Sequence, residues 1–203
     1  MSYLKKYQWE LIPESLPTVK RNCPKCNEKT QYISSEKFRV NANKNNIDVW
    51  LIYQCEKCKS TFNMTIYERI KPYEINKDEY ERFLCNDREL AKQYAFNLSM
   101  YSNNKAEIIL ENVNYKLIER QIEAYCMNED EIVVEIICKY PIGIRVDKLL
   151  GDKLGVSRSK IKCMHKEGLI IIDDDKNSLN TKIRNGLLIR VLKSEKNVLD
   201  KAI

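Results

Sequence analysis

The chain has 203 residues, 32% charged and 43% hydrophobic, a balance that points to soluble globular folding and away from a disordered or fibrous chain. No run approaches the roughly 18 to 20 apolar residues that span a bilayer, and Met1–Glu10 lacks the apolar centre of a secretory signal, so the cytoplasm is the expected compartment. The net charge of +6 is uneven: Lys139–Lys193 holds 13 Lys and Arg against 6 Asp and Glu, whereas Met1–Cys138 holds 20 against 21, a localised excess that either marks a polyanion partner or merely aids solubility.

In chain order, residues 1–70 read as a β-rich zinc-ribbon domain. Phe38-Arg39-Val40 and Ile47–Tyr53 flank the turn-rich Asn41–Asn46 and predict a hairpin, with Thr61–Tyr67 as a third strand. Cys23-Pro24-Lys25-Cys26 and Cys55-Glu56-Lys57-Cys58 lie on either side of that hairpin. In a reducing compartment, two pairs of identical spacing are metal ligands rather than disulfides. Four thiolates suit tetrahedral zinc and leave no open position for substrate, so the expected Zn2+ is structural. The 28 residues between the pairs exceed the roughly 15 to 20 of the common pattern. Asn27 follows one pair and tolerates a left-handed backbone; Lys59 follows the other, where glycine is frequent. Cys85, Cys126, Cys138 and Cys163 show no matched spacing; Cys138 and Cys163 read as packing residues. His165 is assigned no chemistry.

Residues 71–138 read as a helical and mixed linking region. Asn76 with Glu79 resembles a capping box opening a helix through Leu84. Asn86 or Asp87 caps a second, carrying Leu90, Tyr94, Leu98 and Tyr101 on one face to an end at Asn103-Asn104. This aromatic stripe reads as core. A strand is expected over Ile132–Ile137.

Residues 139–203 carry the positive excess. A helix over Asp147–Leu154 ends at Gly155; Ser157 caps a second, Arg158–Glu167, ended by Gly168. Arg158, Lys162 and Lys166 share a face of that helix, with Ile161 and Met164 turned inward. Leu169–Ile172 and Leu187–Val191 supply two strands. A basic helical face on a rigid platform suits phosphate contact.

This order of elements resembles the S-four RNA-binding domain, shared by a small-subunit ribosomal protein, many pseudouridine synthases and bacterial tyrosyl-tRNA synthetases. Arg145 and Lys148 fall on its opening Arg-x-Asp-x-x-Leu pattern, Ser157-Arg158-Ser159 on its Ser-Arg-Ser step, and Glu167–Ile170 and Asn185-Gly186 on its turns. The resemblance implies that Arg145, Lys148, Ser157, Arg158, Lys162 and Lys166 contact structured RNA. Asp173–Asn177 departs from the Asn-Gly turn common in that family, and Leu187 from its late Asp. Arg21–Cys26, Lys37–Asn43, Asp48–Tyr53 and Tyr94-Ala95-Phe96 are similar to an uncharacterised bacterial family, domain of unknown function number 1062, which implies a cytoplasmic bacterial protein and no activity to transfer.

The expected fold class is therefore α+β: an N-terminal β zinc ribbon, a helical middle segment, and a C-terminal S-four-like helix pair with a small antiparallel sheet. The expected function is binding of ribosomal or transfer RNA by a structural-zinc protein that is not an enzyme, because no nucleophile, cofactor or open-metal motif stands out. The alternative is a protein-interaction adaptor that binds no RNA; the acidic Asp173–Asp175 favours it.

Overall fold

The computed structural model describes residues 3–43, 45–125, 131–174 and 178–192. In chain order the first elements are β1 (Tyr3–Pro13), β2 (Thr18–Cys23), β3 (Glu28–Asn43), β4 (Asn46–Cys55) and β5 (Thr61–Ile70). Helices α1 (Lys77–Leu84), α2 (Arg88–Ala95) and α3 (Leu98–Asn103) precede β6 (Glu107–Ile109), β7 (Tyr115–Tyr125) and β8 (Glu131–Ile137). The remaining elements are α4 (Val146–Leu154), α5 (Arg158–Lys166), β9 (Ile170–Ile172) and β10 (Leu188–Leu192). They form two compact units, one of Ser15–Val113 and one of Met1–Glu14 with Asn114–Ile203. Among the described residues no helix is long and apolar enough to cross a membrane.

The 15–113 unit is a sheet in the order β5-β4-β3-β2-β6, antiparallel throughout. Alternation along β4 buries Ile47, Val49, Leu51 and Tyr53 against Phe83, Leu90, Ala95 and Tyr101 of the helices. Side-chain oxygens start each helix: Asn76 accepts from the Asp78 and Glu79 amides, Asp87 from Leu90, and Asn97 from Ser99. Two asparagines tie helix ends to strands. Asn86 Oδ1 accepts from the Phe38 amide at 2.7 Å, and Asn104 bonds both the amide and the carbonyl of Thr65. The Phe38 ring is buried, 4.9 Å from that of Phe83. The single helix expected through Tyr101 is instead two, because Asn97 caps afresh and leaves Leu98 exposed.

The other unit has the sheet order β7-β1-β8-β10-β9. The opening strand lies antiparallel to β7 and parallel to β8, pairing Leu11 with Leu117 and Trp9 with Ile136. Leu149, Leu150, Leu154, Ile161 and Met164 of α4 and α5 share a core with Trp9, Val134, Ile136 and Ile189. Gly155 ends α4 at φ 64°, a left-handed position that glycine adopts without steric cost.

The expected α+β fold is thus corrected to a mainly β one. The middle segment is not a helical region: α1–α3 give way to β6, β7 and β8. The N-terminal β part is a five-stranded sheet backed by three helices, rather than a ribbon with a thin core. The C-terminal helix pair does not rest on a small sheet of its own. With three residues in β9 and five in β10, that sheet is too narrow to cover both apolar helix faces, and β8, β1 and β7 widen it to five strands.

Candidate functional site

The turns that join β2 to β3 and β4 to β5 present Cys23, Cys26, Cys55 and Cys58, and the β3–β4 hairpin sets the two turns side by side. Each turn closes by the same bond: the Asn27 amide donates to the Cys23 carbonyl, and the Lys59 amide to that of Cys55, both at 2.9 Å. Each closing residue is left-handed, Asn27 at φ 53° and Lys59 at φ 60°. The lysine accepts a backbone that disfavours a side chain by about 1–2 kcal/mol, held in place by the pairing around it. The Cys55 amide donates to Ser60, and the Glu56 amide to Gln31 of β3.

The four sulfurs lie within 4.8 Å of one another, close enough to bind a metal ion. Cys23 and Cys58 Sγ are 3.6 Å apart, and Cys26 and Cys55 Sγ 4.0 Å. The Ser60 hydroxyl, 3.4 Å from Cys23 Sγ, and the Tyr32 phenol beside it hold the Cys23 thiol down to about 5. The Cys58 backbone and the Thr30 hydroxyl lower Cys55, whereas the Cys58 and Cys23 thiols beside Cys26 push it up to about 12. The surroundings thus bias Cys23 and Cys55 toward the thiolate and Cys26 toward the thiol, and a bound metal would hold the sulfurs as thiolates. Around the rim, Lys57 pairs with Glu28 at 2.6 Å, and the Arg21 guanidinium lies 3.6 Å from the centre of the Phe62 ring.

The basic residues singled out in the sequence gather on α4 and α5. Arg145 and Ser157 are the N-caps of the two helices, and the Ser157 hydroxyl accepts from the Lys160 amide. Asp147 is fully buried, and its carboxylate is gripped by both arginines: Arg145 NH2 at 2.7 Å and Arg158 NH2 at 2.9 Å. Burial pushes this carboxyl up, but hydrogen bonds from Arg158 and Arg145 more than compensate, and it lies below the ordinary aspartate range. Arg145 also reaches Asn180. Lys148, Lys160, Lys162 and Lys166 are exposed. The fork locks the start of α4 to the start of α5 and thereby fixes where those lysines stand. Cys138 is buried as expected; Cys163 is exposed, 3.1 Å from Glu167, rather than packed. Cys126 lies outside the described residues.

The Asp147 fork could have been suspected from the sequence, where Arg-x-Asp and Ser-Arg flank a short helix. Ser60 lies two residues after Cys58 and bonds it at 3.0 Å, a local placement; no local signal reveals Tyr32 and Thr30, since strand pairing brings them to the sulfurs.

Residues 40–176 match the family described as protein of unknown function (DUF1062). The chain belongs to this family. The match takes in the end of β3, all of β4, Cys55 and Cys58, α1 to α5 and the Asp147 fork; most of β3 and both Cys23 and Cys26 precede it. No curated protein and no solved structure matches the chain.

Proposed function

We propose that the protein is a cytoplasmic, non-catalytic RNA-binding protein. One Zn2+ on Cys23, Cys26, Cys55 and Cys58 holds the 15–113 unit together, and the cations of α4 and α5 hold phosphates of a structured RNA.

The sulfur spacing supports zinc. Four sulfurs about 2.3 Å from a tetrahedral ion stand about 3.8 Å apart, and the measured 3.6 and 4.0 Å lie on either side of that value. Four thiolates fill the coordination sphere, which favours a structural ion over a Lewis acid with a free position.

The observation that carries the RNA reading is the group Lys148, Lys160, Lys162 and Lys166. All are exposed on one helix pair, and among the described residues none makes an ion pair. Unneutralised lysines on a rigid scaffold gain counterion-release energy from a polyanion. Arg145 and Arg158, 38% and 52% exposed, add charge from fixed positions, and Ser157 sets the start of α5. The acidic loop lends little to the adaptor alternative, because Asp173 pairs with Arg190 at 2.7 Å and Asp174 accepts from Thr181 at 2.7 Å.

The test compares RNA retained on purification, and its salt dependence, between wild type and a Lys148→Glu/Lys162→Glu/Lys166→Glu variant. Arg158 is left intact because its loss would unpair Asp147. Wild-type affinity should fall with a log–log slope of about −0.7 to −0.9 per phosphate contacted, and the folded variant should lose binding. Salt-insensitive binding, or no RNA on the wild type at low salt, contradicts the reading. A protein partner that survives nuclease treatment would then support the adaptor.

A further inference from the structure

A second concentration of positive charge lies in the 15–113 unit, on β2 and its neighbours. Strand β6 pairs with Thr18–Lys20, so among the described residues Arg21–Cys23 of β2 run on past its start with no strand beside them on that edge. The chain enters β6 through Lys105, left-handed at φ 49°, and the Lys105 and Ala106 amides are anchored on the Ser102 and Tyr101 carbonyls. The result is a notch of about 430 Å³ lined by Lys20, Asn22, Lys29, Lys105 and one carboxylate, Glu107. The register sets Lys20 opposite Glu107 and Asn22 opposite Lys29, so alternation places these four on one face of the sheet.

We propose that this notch is a binding site for a phosphate group. Three lysines face one carboxylate, and that carboxylate is only loosely engaged, 3.6 Å from Lys29 with both side chains 60% exposed. Among the described residues Lys20 and Lys105 have no ion-pair partner. Arg21 turns to the opposite face of β2, where its guanidinium lies over Phe62, so the donors at the notch are the lysines and Asn22. The surplus of two positive charges exceeds what one carboxylate ligand would neutralise. It suits a phosphate, which offers about 1.5 to 2 negative charges as a monoester and several acceptor oxygens. Three flexible ammonium groups and the Asn22 side chain supply donors for such an anion, the ammonium hydrogen bonds being charge-assisted. The phosphate comes either from a free or small-molecule phosphate or from an RNA backbone. Only the second source rests on the RNA reading above.

The test follows backbone amide signals of the full chain during titration with inorganic phosphate, with potassium chloride at matched ionic strength, and with a short RNA hairpin. Phosphate should give saturable shifts at Lys20–Asn22 and Lys105–Glu107 that chloride does not reproduce. A Lys20→Gln/Lys105→Asn variant should weaken them by about tenfold; asparagine is chosen because it tolerates the left-handed backbone at 105. Hairpin shifts at the notch identify an RNA backbone as a source; hairpin shifts confined to α5, with phosphate still filling the notch, identify a free or small-molecule phosphate. Notch shifts with a silent α5 would uphold the notch while refuting the basic helical face. If neither phosphate nor hairpin shifts the notch beyond the chloride control, the proposal is overturned whatever α5 does.

Discussion

In the 15–113 unit the polar centre is four sulfurs gathered from two turns, whereas in the other unit it is one carboxylate, Asp147, gripped by two guanidinium groups. The sulfurs come from turns well apart in sequence and the fork from two consecutive helices, and the two centres are satisfied differently. Asp147 finds its complement within the protein, so its charge is neutralised as soon as α4 and α5 meet. Among the described residues the sulfurs are met by hydroxyls, backbone amides and one another, and Lys57, whose charge they feel, is itself paired with Glu28. A buried charge with a partner is an element of the fold; a cluster without one is a request for an external cation. This contrast is why one centre reads as architecture and the other as a metal site.

The largest expected effect comes from breaking the sulfur cluster. A structural zinc contributes about 10 to 16 kcal/mol apparent, comparable with the whole stability of a typical domain, about 5–15 kcal/mol. Cys55→Ser should therefore abolish bound metal and unfold the 15–113 unit. The two tryptophans report separately, Trp50 on β4 in that unit and Trp9 on β1 in the other. In a Trp50→Phe background the Trp9 emission should be unchanged by Cys55→Ser, and loss of the folded Trp9 signal there would erase the distinction.

Asp147→Asn tests the internally balanced centre. Removing one partner from a buried ion pair costs about 3–5 kcal/mol, and the partial exposure of both arginines places the loss at the lower end. The melting transition of the Trp9 unit should fall while metal content stays constant. Acid supplies the same test more gently. The Asp147 carboxyl is depressed in the folded state, so its contribution is complete above its unfolded value of about 4 and is lost as pH drops through the lower folded value. Stability of that unit should fall below about pH 4, and the Asp147→Asn variant should show a shallower decline. A parallel decline in both would remove Asp147 as a cause.

The smallest effect sharpens the metal turns. Lys59→Gly relieves a left-handed lysine at the cost of a freer unfolded chain, and should raise stability of the 15–113 unit by up to about 1 kcal/mol. Asn27→Gly should change it less. Chemical denaturation of the metal-loaded protein measures both.

Much of the site was legible because its signals are local. Matched Cys-x-x-Cys spacing is a property of one turn read twice, and Ser157, Gly155, Asn76 and Asp87 act within a few residues of themselves, so the helix boundaries they set lie close to those expected. The architecture was hidden where pairing is remote. Tyr7, Trp9 and Leu11 alternate with polar residues as a strand should, but nothing nearby says that β1 pairs across more than a hundred residues with β7 and β8. Once that strand leaves the cysteine unit and joins the C-terminal one, a ribbon and a small helix-pair module become two five-stranded sheets. Asn97 shows the converse: a polar residue inside an apolar period reads equally as a tolerated helix position or as a new cap, and packing of Met100 and Tyr101 decides for the cap.

The contrast between the two centres is tested most directly by amide hydrogen exchange on the full chain before and after metal is stripped by a chelator, with metal content measured on the same samples. The account predicts that β2–β5 lose protection on stripping while β1, β8 and β10 keep theirs, and that adding Zn2+ restores the first group. Unchanged protection across β2–β5 in demonstrably metal-free protein would contradict it, leaving the four cysteines as packing residues.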